Sequence, residues 1–470
     1  MQLPLALGEE SHQCNFNAVD PRFTFVDLFA GVGGFHHALT GLGGDCVQAV
    51  EIDESCRRVY QSSFPTLPPD RLIADIRSLT LDETGRDLDE DAVRAAVPDH
   101  DVLCAGFPCQ PFSKSGAQKG VLDRTRGTLF YEIMTIVRAC EPEFVILENV
   151  RNLAGPRHRD TWETIIESLR EASYRVADKP VVFSPHLLHP DEGGTPQVRD
   201  RVFILARRVD GGTWEDRVGE RLVLREPSPG WNPADWRIAS WLDADGDIPD
   251  LETYRLRPEE VGWIAAWQAF CEEVPAESLP GFPIWADEFN ARARIPTGCP
   301  DWKRDFLLKN AAFYREVKNR RVIDRWRKHR WGPLKQRLDE FPPSRRKFEW
   351  QARTAQPERA DRDLSKLVLH LRPSGIRVKP PSYLPALVAI TQTSIVGPSV
   401  TGGIWRRITP REAARLQGLP PDVFKRAGVD NATAYRQLGN AVNVGVVRHV
   451  THALFDDAGA TARGRALACV

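Results

Sequence analysis

The stretch Phe23-Thr24-Phe25-Val26-Asp27-Leu28-Phe29-Ala30-Gly31-Val32-Gly33-Gly34-Phe35 decides how the chain folds. Its first half is a short apolar run of strand length, and its second half is a glycine-rich turn placed where a strand ends and a helix begins. Working outward, further short runs follow at 46–51 (CVQAVE), 101–106 (DVLCAG), 144–148 (FVILE) and 201–206 (RVFILA), with helical stretches between them. Continuous apolar runs of this length suit strands buried on both faces, and helices between them suggest right-handed crossovers. The expected class is α/β, doubly wound and Rossmann-like, with a second, smaller domain.

Composition agrees with a globular chain. There are 470 residues, 63 Lys+Arg against 64 Asp+Glu, and 42% are hydrophobic. Two or three domains fit that length. The nine cysteines are scattered without a CxxC pair, which argues against a disulfide framework and against a structural zinc site, and no metal is expected. The N-terminal MQLPLALGEE has no cationic start, and no apolar stretch approaches the ~20 residues a membrane span needs. A soluble, cytoplasmic protein of a reducing compartment is expected.

After Arg208 the rhythm stops, and the chain is rich in Trp, Pro and charge until about Ser394. Residues 303–347 hold sixteen Lys/Arg against five acids, a local net of +11 that leaves −12 elsewhere. Aromatics are interleaved with these cations, including Trp302, Phe306, Trp326, Trp331 and Trp350. Such a segment reads as a nucleic-acid surface, or alternatively as solvated helices whose aromatics face a core.

Three constellations carry chemistry. Gly31 and Gly33 permit positive φ and close approach of a ligand, as a nucleotide-binding turn requires. Glu51 lies 20 residues after Gly31, the distance at which a carboxylate receives a ribose. Asp75, followed by Ile76, could reach an adenine edge from a third short strand. The GxGG pattern tilts towards S-adenosyl-L-methionine and away from a nicotinamide dinucleotide. Next, Gly106-Phe107-Pro108-Cys109-Gln110-Pro111-Phe112-Ser113 holds a cysteine between prolines at the carboxyl edge of the sheet, a plausible nucleophile. Finally, Glu148 ends a buried strand, and Gln197-Val198-Arg199-Asp200-Arg201 precedes the last one. Simple alternation puts Arg199 and Arg201 on one face, where both guanidinium groups can converge on a substrate.

Taken in order, FVDLFAGVGGF, GFPCQPFS, ENV, QVRDR and the late RQLGNAVNV resemble the DNA (cytosine-5) methyltransferases of bacterial restriction–modification or phage-defence type. The resemblance covers residues 22–208 and 404–450, with the intervening stretch where that family places its target-recognition domain. It implies a mobile lead-in at 1–21 and a catalytic domain begun by 22–210. A recognition domain at 211–425 would carry the basic insert, and a helix at 426–455 would return to cover the cofactor before a tail at 456–470. It also implies that Phe29, Gly31, Gly33, Glu51, Ile52, Asp75, Ile76, Pro108, Asn440 and Val442 bind S-adenosyl-L-methionine. Cys109 would be the nucleophile, Glu148 the carboxylate that orients cytosine, and Arg199 and Arg201 further ligands of the base. Gln110, Ser113, Lys114, Lys119, Arg124 and Arg126 would contact DNA from a loop that closes over the flipped base. The partner implied is double-stranded DNA bound by a monomer, with any restriction or defence protein encoded separately. An RNA cytosine-5 methyltransferase and a non-catalytic DNA-binding regulator are the alternatives. From Thr409 a helix is expected, with Thr409 as N-cap, Pro410 at N1 and Glu412 at N3.

Overall fold

The computed structural model describes residues 22–108, 128–352, 362–387 and 393–459. Its larger sheet contains β1 (Phe23–Leu28), β2 (Gly44–Val50), β3 (Leu72–Ile73), β4 (Val102–Gly106), β5 (Phe144–Val150), β6 (Tyr174–Ala177), β7 (Val181–Phe183), β9 (Arg201–Arg208) and β10 (Val218–Gly219). The order is β3-β2-β1-β4-β5-β9-β6-β10, with β7 also paired to β9. β1 to β5 run parallel to one another. β9 runs antiparallel to β5, so the last apolar run enters the sheet by reversal and not by a crossover. A separate short strand, β8 (Gln197–Val198), pairs instead with Leu384–Pro385.

Both faces are buried, and the alternation of side chains divides them. Phe25, Cys104 and Ile146 enter one apolar core, while Val26, Leu103 and Val145 enter the other. The first is covered by α1 (Gly34–Thr40) and by the terminal helix Val444–Asp457. Phe455 of that helix packs its ring 5.3 Å from Phe23 and 5.0 Å from Phe144, closing the domain with the far end of the chain. The second core is covered by helices Leu129–Cys140 and Arg159–Glu171. Among the described residues no helix is long and apolar enough to cross a membrane.

A smaller sheet follows the order Ile284–Trp285, Lys347–Trp350, Gly375–Lys379, Val368–Arg372, Ile395–Val396, Arg406–Arg407. Its apolar core begins at Leu256 and ends at Ile395, narrower than the 211–425 expected from sequence. Residues 211–250 are mostly short turns laid over the first domain. Trp231 and Trp236, for example, both donate from Nε1 to the carbonyl of His186. At the other end, the helix Pro410–Leu416 has the expected capping box, with Thr409 Oγ1 accepting from Glu412 N–H and Glu412 accepting from Thr409 N–H. Its Ala413, Ala414 and Leu416 belong to the first core, so this helix packs with the larger sheet and not with the smaller one. Arg406, fully buried, bonds Asp245 at 2.7 Å and that same Glu412 at 2.8 Å, tying the smaller sheet to both flanking segments.

Candidate active site

In the larger sheet the chain order reverses between β1 and β4, which lie side by side with β2 and β5 on their outer edges. A crevice opens outside the carboxyl ends of strands at such a switch point. Here it is a cavity of about 500 Å³ lined from the ends of β1 (Phe29, Gly31), β2 (Glu51, Ile52, Asp53), β3 (Asp75, Ile76), β4 (Gly106, Pro108) and β5 (Glu148, Asn149), with Arg201 and the late segment Arg436–Ala441.

The cofactor side is built on the glycine turn. Phe29 has φ 58°, unusual for a residue with a side chain, and Gly31 has φ 56° with open space where a Cβ would stand. Gly31 N–H donates to Glu51 Oε2 at 2.8 Å, while Glu51 Oε1 accepts from Asp53 N–H at 2.7 Å. The carboxylate is thereby fixed in orientation with lone pairs left for ligand hydroxyls. Burial pushes its pKa up, and the two N–H bonds oppose that. Ile52 is 71% exposed at the cavity, an apolar surface for a flat ring. Asp53 caps α2 (Glu54–Ser63) by accepting from Ser55 and Cys56 N–H, and receives Arg436 Nη1 at 2.8 Å. The cavity volume, the paired bonds on Glu51 and the exposed apolar wall fit an adenosine-bearing sulfonium ligand.

Two expected cofactor residues stand behind the wall. A Cβ on Gly33 (φ 86°) would come 2.3 Å from the Phe64 ring, so this glycine serves packing at the start of α1. Val442 fills the space between the glycine turn and β4, its carbonyl oxygen only 2.6 Å from where a Cβ on Gly34 would stand. The residues of the late segment that line the cavity are Arg436, Gln437, Gly439, Asn440 and Ala441, and the terminal helix itself packs on the sheet. Asp53, Arg436 and Gln437 were missed in the sequence; the helical spacing of Arg436 and Asn440, one turn apart, was the available signal.

On the substrate side, Arg201 Nε donates to Glu148 Oε1 at 2.9 Å. Burial raises the pKa of Glu148, opposed by Arg201 and then by Arg199. Asn149 donates from Nδ2 to the carbonyl of Phe107 at 2.8 Å, which holds the end of β4 against β5. Arg199 does not line the cavity. It is 1% exposed and donates to the carbonyls of Leu387, Gly439 and Ala441. Strand pairing explains the difference from simple alternation: the chain leaves one sheet after Val198 and joins another at Arg201, so the intervening residues break the period. Cys109, Gln110, Ser113, Lys114, Lys119, Arg124 and Arg126 lie outside the described residues, as does the rest of the loop expected to close; Pro108, the residue before Cys109, lines the cavity.

A doubly wound sheet with a glycine turn and ribose-type carboxylate at its switch point, facing a buried carboxylate–guanidinium pair, defines an S-adenosyl-L-methionine-dependent methyltransferase. A family model described as C-5 cytosine-specific DNA methylase matches residues 23–456. The Type II methyltransferase M.AluI of Cellulosimicrobium cellulans is 39% identical, with 91% of each chain covered. M.HhaI of Haemophilus parahaemolyticus is 38% identical over 40% of this chain and 49% of its own. M.HpaII of Haemophilus parainfluenzae is 39% identical over 39% and 46%. The chain belongs to the C-5 cytosine-specific DNA methylase family. It is a DNA (cytosine-5-)-methyltransferase, with S-adenosyl-L-methionine as methyl donor.

Proposed function

We propose that the chain is the modification enzyme of a restriction–modification or phage-defence system, acting as a cytoplasmic monomer on one short duplex sequence with any nuclease supplied by a separate protein. The extent of similarity to a Type II methyltransferase supports this reading. Bisulfite sequencing of DNA from cells expressing the chain tests it. One short motif methylated at nearly every occurrence is expected; methylation scattered without a motif would overturn it.

In the proposed reaction the observation that matters most is the Glu148–Arg201 pair sharing a cavity with Gly31 and Glu51. Carbon 5 of cytosine is too weak a nucleophile alone. The Cys109 thiolate adds to carbon 6, and Glu148, whose pKa burial raises against the pull of Arg201, bonds ring nitrogen 3 and accepts from the exocyclic amine. Arg201 faces the ring carbonyl. Phe29, Ile52 and Asp75 seat the adenosine, Glu51 its ribose, and Asn440 the remaining edge. When bound, S-adenosyl-L-methionine supplies an electrophilic methyl group. Carbon 5, now enamine-like, takes that methyl; a base removes the carbon 5 proton, and Cys109 leaves as the ring is restored. Arg199, by its carbonyl bonds, positions the late segment and does not touch the base.

The ring is inaccessible within a duplex, so the cytosine is flipped out at a cost of a few kcal/mol. Gln110, Ser113, Lys114, Lys119, Arg124 and Arg126 offer the polar and cationic contacts for the opened strand. The covalent step is checked with a duplex carrying 5-fluorocytosine at the target. A stable protein–DNA adduct is expected with wild type and none with Cys109→Ser, because fluorine cannot leave as the proton does.

A further inference from the structure

Strand alternation divides the smaller sheet into an outer and an inner face. On the outer face, Leu371, Ile376, Val378 and Phe348 pack against the helix Pro258–Glu273, with the Trp267 and Phe348 rings stacked 4.6 Å apart. The basic helix Val317–Lys328 lies beyond that helix as a further layer, its Trp326 donating from Nε1 to the carbonyl of Ala266 at 2.6 Å. The aromatics Phe313 and Trp326 of the basic segment, with Phe348 and Trp350 just after it, are therefore core, while its Lys318 and Arg321 are exposed.

The inner face starts on the catalytic domain. Val368 pairs with Val396, and both belong to the first core. Further along, the same face presents His370, Arg372, Arg377, Lys379 and Glu349, with Arg377 opposite His370 and Lys379 opposite Val368. Glu349 accepts from Arg372 at 2.7 Å and from Arg377 at 3.0 Å. The Lys379 side chain makes no hydrogen bond or ion pair among the described residues. Two of the three cations thus share one carboxylate, the third has none, and all three are only part-exposed. Burial and their mutual repulsion push the pKa values of Arg372 and Lys379 down, and His370 is held to about 3 by burial and then by these cations, so it stays neutral. Crowded, partly desolvated positive charge that the protein does not neutralise is satisfied by an anion. From Lys379 the chain runs through Pro380–Tyr383 into Leu384–Pro385, which pairs with Gln197–Val198 at the head of the segment carrying Arg201.

We propose that Arg372, Arg377 and Lys379 on this inner face hold backbone phosphates of the duplex beside the catalytic domain, and that the more numerous cations of the outer helix take no part. The inference rests on the reading of the chain as a duplex-DNA enzyme and relocates the DNA surface from residues 303–347 to the inner sheet. Phosphate contacts contribute affinity without reading sequence, and each one lost lowers the salt dependence of binding by about one unit of slope.

The test is a salt titration of duplex binding by fluorescence anisotropy with wild type, Lys379→Gln, Arg377→Gln/Lys379→Gln, and Lys318→Ala/Arg321→Ala. Lys379→Gln removes no partner of another residue and keeps the fold. It is expected to reduce the slope of log K against log salt by about one, and the inner double variant by about two, alike on target and unrelated duplexes. The outer double variant is expected to match wild type. Unchanged slope in Lys379→Gln, or a loss confined to the outer variant, overturns the proposal. Failure of the underlying reading looks different: wild type itself would transfer no methyl group to duplex DNA.

Discussion

Arg201 and Glu148 meet across two antiparallel strands, Nε to Oε1 at 2.9 Å, although the ladder pairs Arg201 with Val150 and Glu148 with Phe203. The contact is a diagonal one between strand ends, and it sets a guanidinium and a carboxylate side by side at the cavity. Each limits the rotamers of the other, so both are held in fixed positions at the cavity, as the proposed reaction requires.

Glu148→Gln retains the shape and loses the ability to exchange a proton with ring nitrogen 3. Methyl transfer is expected to fall by about 10²–10⁴-fold, with affinity for S-adenosyl-L-methionine unchanged by calorimetry. Near-normal turnover would remove Glu148 from the reaction.

Glu51→Ala deletes the acceptor of both Gly31 and Asp53 N–H groups and the proposed seat of the ribose. Binding of S-adenosyl-L-methionine is expected to weaken at least tenfold, about 1.4 kcal/mol, measured by calorimetry on the protein without DNA. An unchanged Kd would refute the assignment.

Arg199→Met removes a buried cation with three carbonyl partners. The expected effect is loss of about 1–3 kcal/mol of stability in urea unfolding, the range for leaving buried acceptors without a donor. A variant as stable as wild type but inactive would instead put Arg199 on the substrate.

Asp27 is wholly buried behind the glycine turn, with Tyr60 and Cys104 as hydrogen-bond partners, and burial raises its pKa to about 8. A carboxyl raised on folding stabilises fully below its unfolded pKa of about 3.9 and loses that contribution as pH rises towards the folded value. Between these limits wild-type stability is expected to fall more steeply with pH than that of Asp27→Asn, by about 1.4 kcal/mol per unit. Parallel curves from urea titrations would show that Asp27 is already ionised.

The larger sheet was legible because both-face burial demands continuous apolar runs, as in β4, where Val102 to Ala105 are all fully buried. The approach of Glu51 to Gly31 was legible because their separation in sequence is fixed by one crossover. Arg199 was misread because period-two alternation holds only within one strand, and the chain changes sheets between Val198 and Arg201. The edges of the smaller domain were hidden for a related reason: its core is stapled to the first by long-range polar contacts such as Arg406 with Asp245 and Glu412, which leave no periodic trace. Charge density pointed to residues 303–347, whereas layering puts the exposed cations of the helix Val317–Lys328 on the outside and leaves three fewer conspicuous ones, Arg372, Arg377 and Lys379, on the inner face.

The most direct measurement is transfer of labelled methyl from S-adenosyl-L-methionine to duplex DNA containing the target, to the separated strands and to bulk tRNA, with wild type and Cys109→Ser in parallel. Label in duplex cytosine carbon 5 that disappears in Cys109→Ser is the predicted result. Label in tRNA alone, or duplex methylation that survives in Cys109→Ser, would contradict the account.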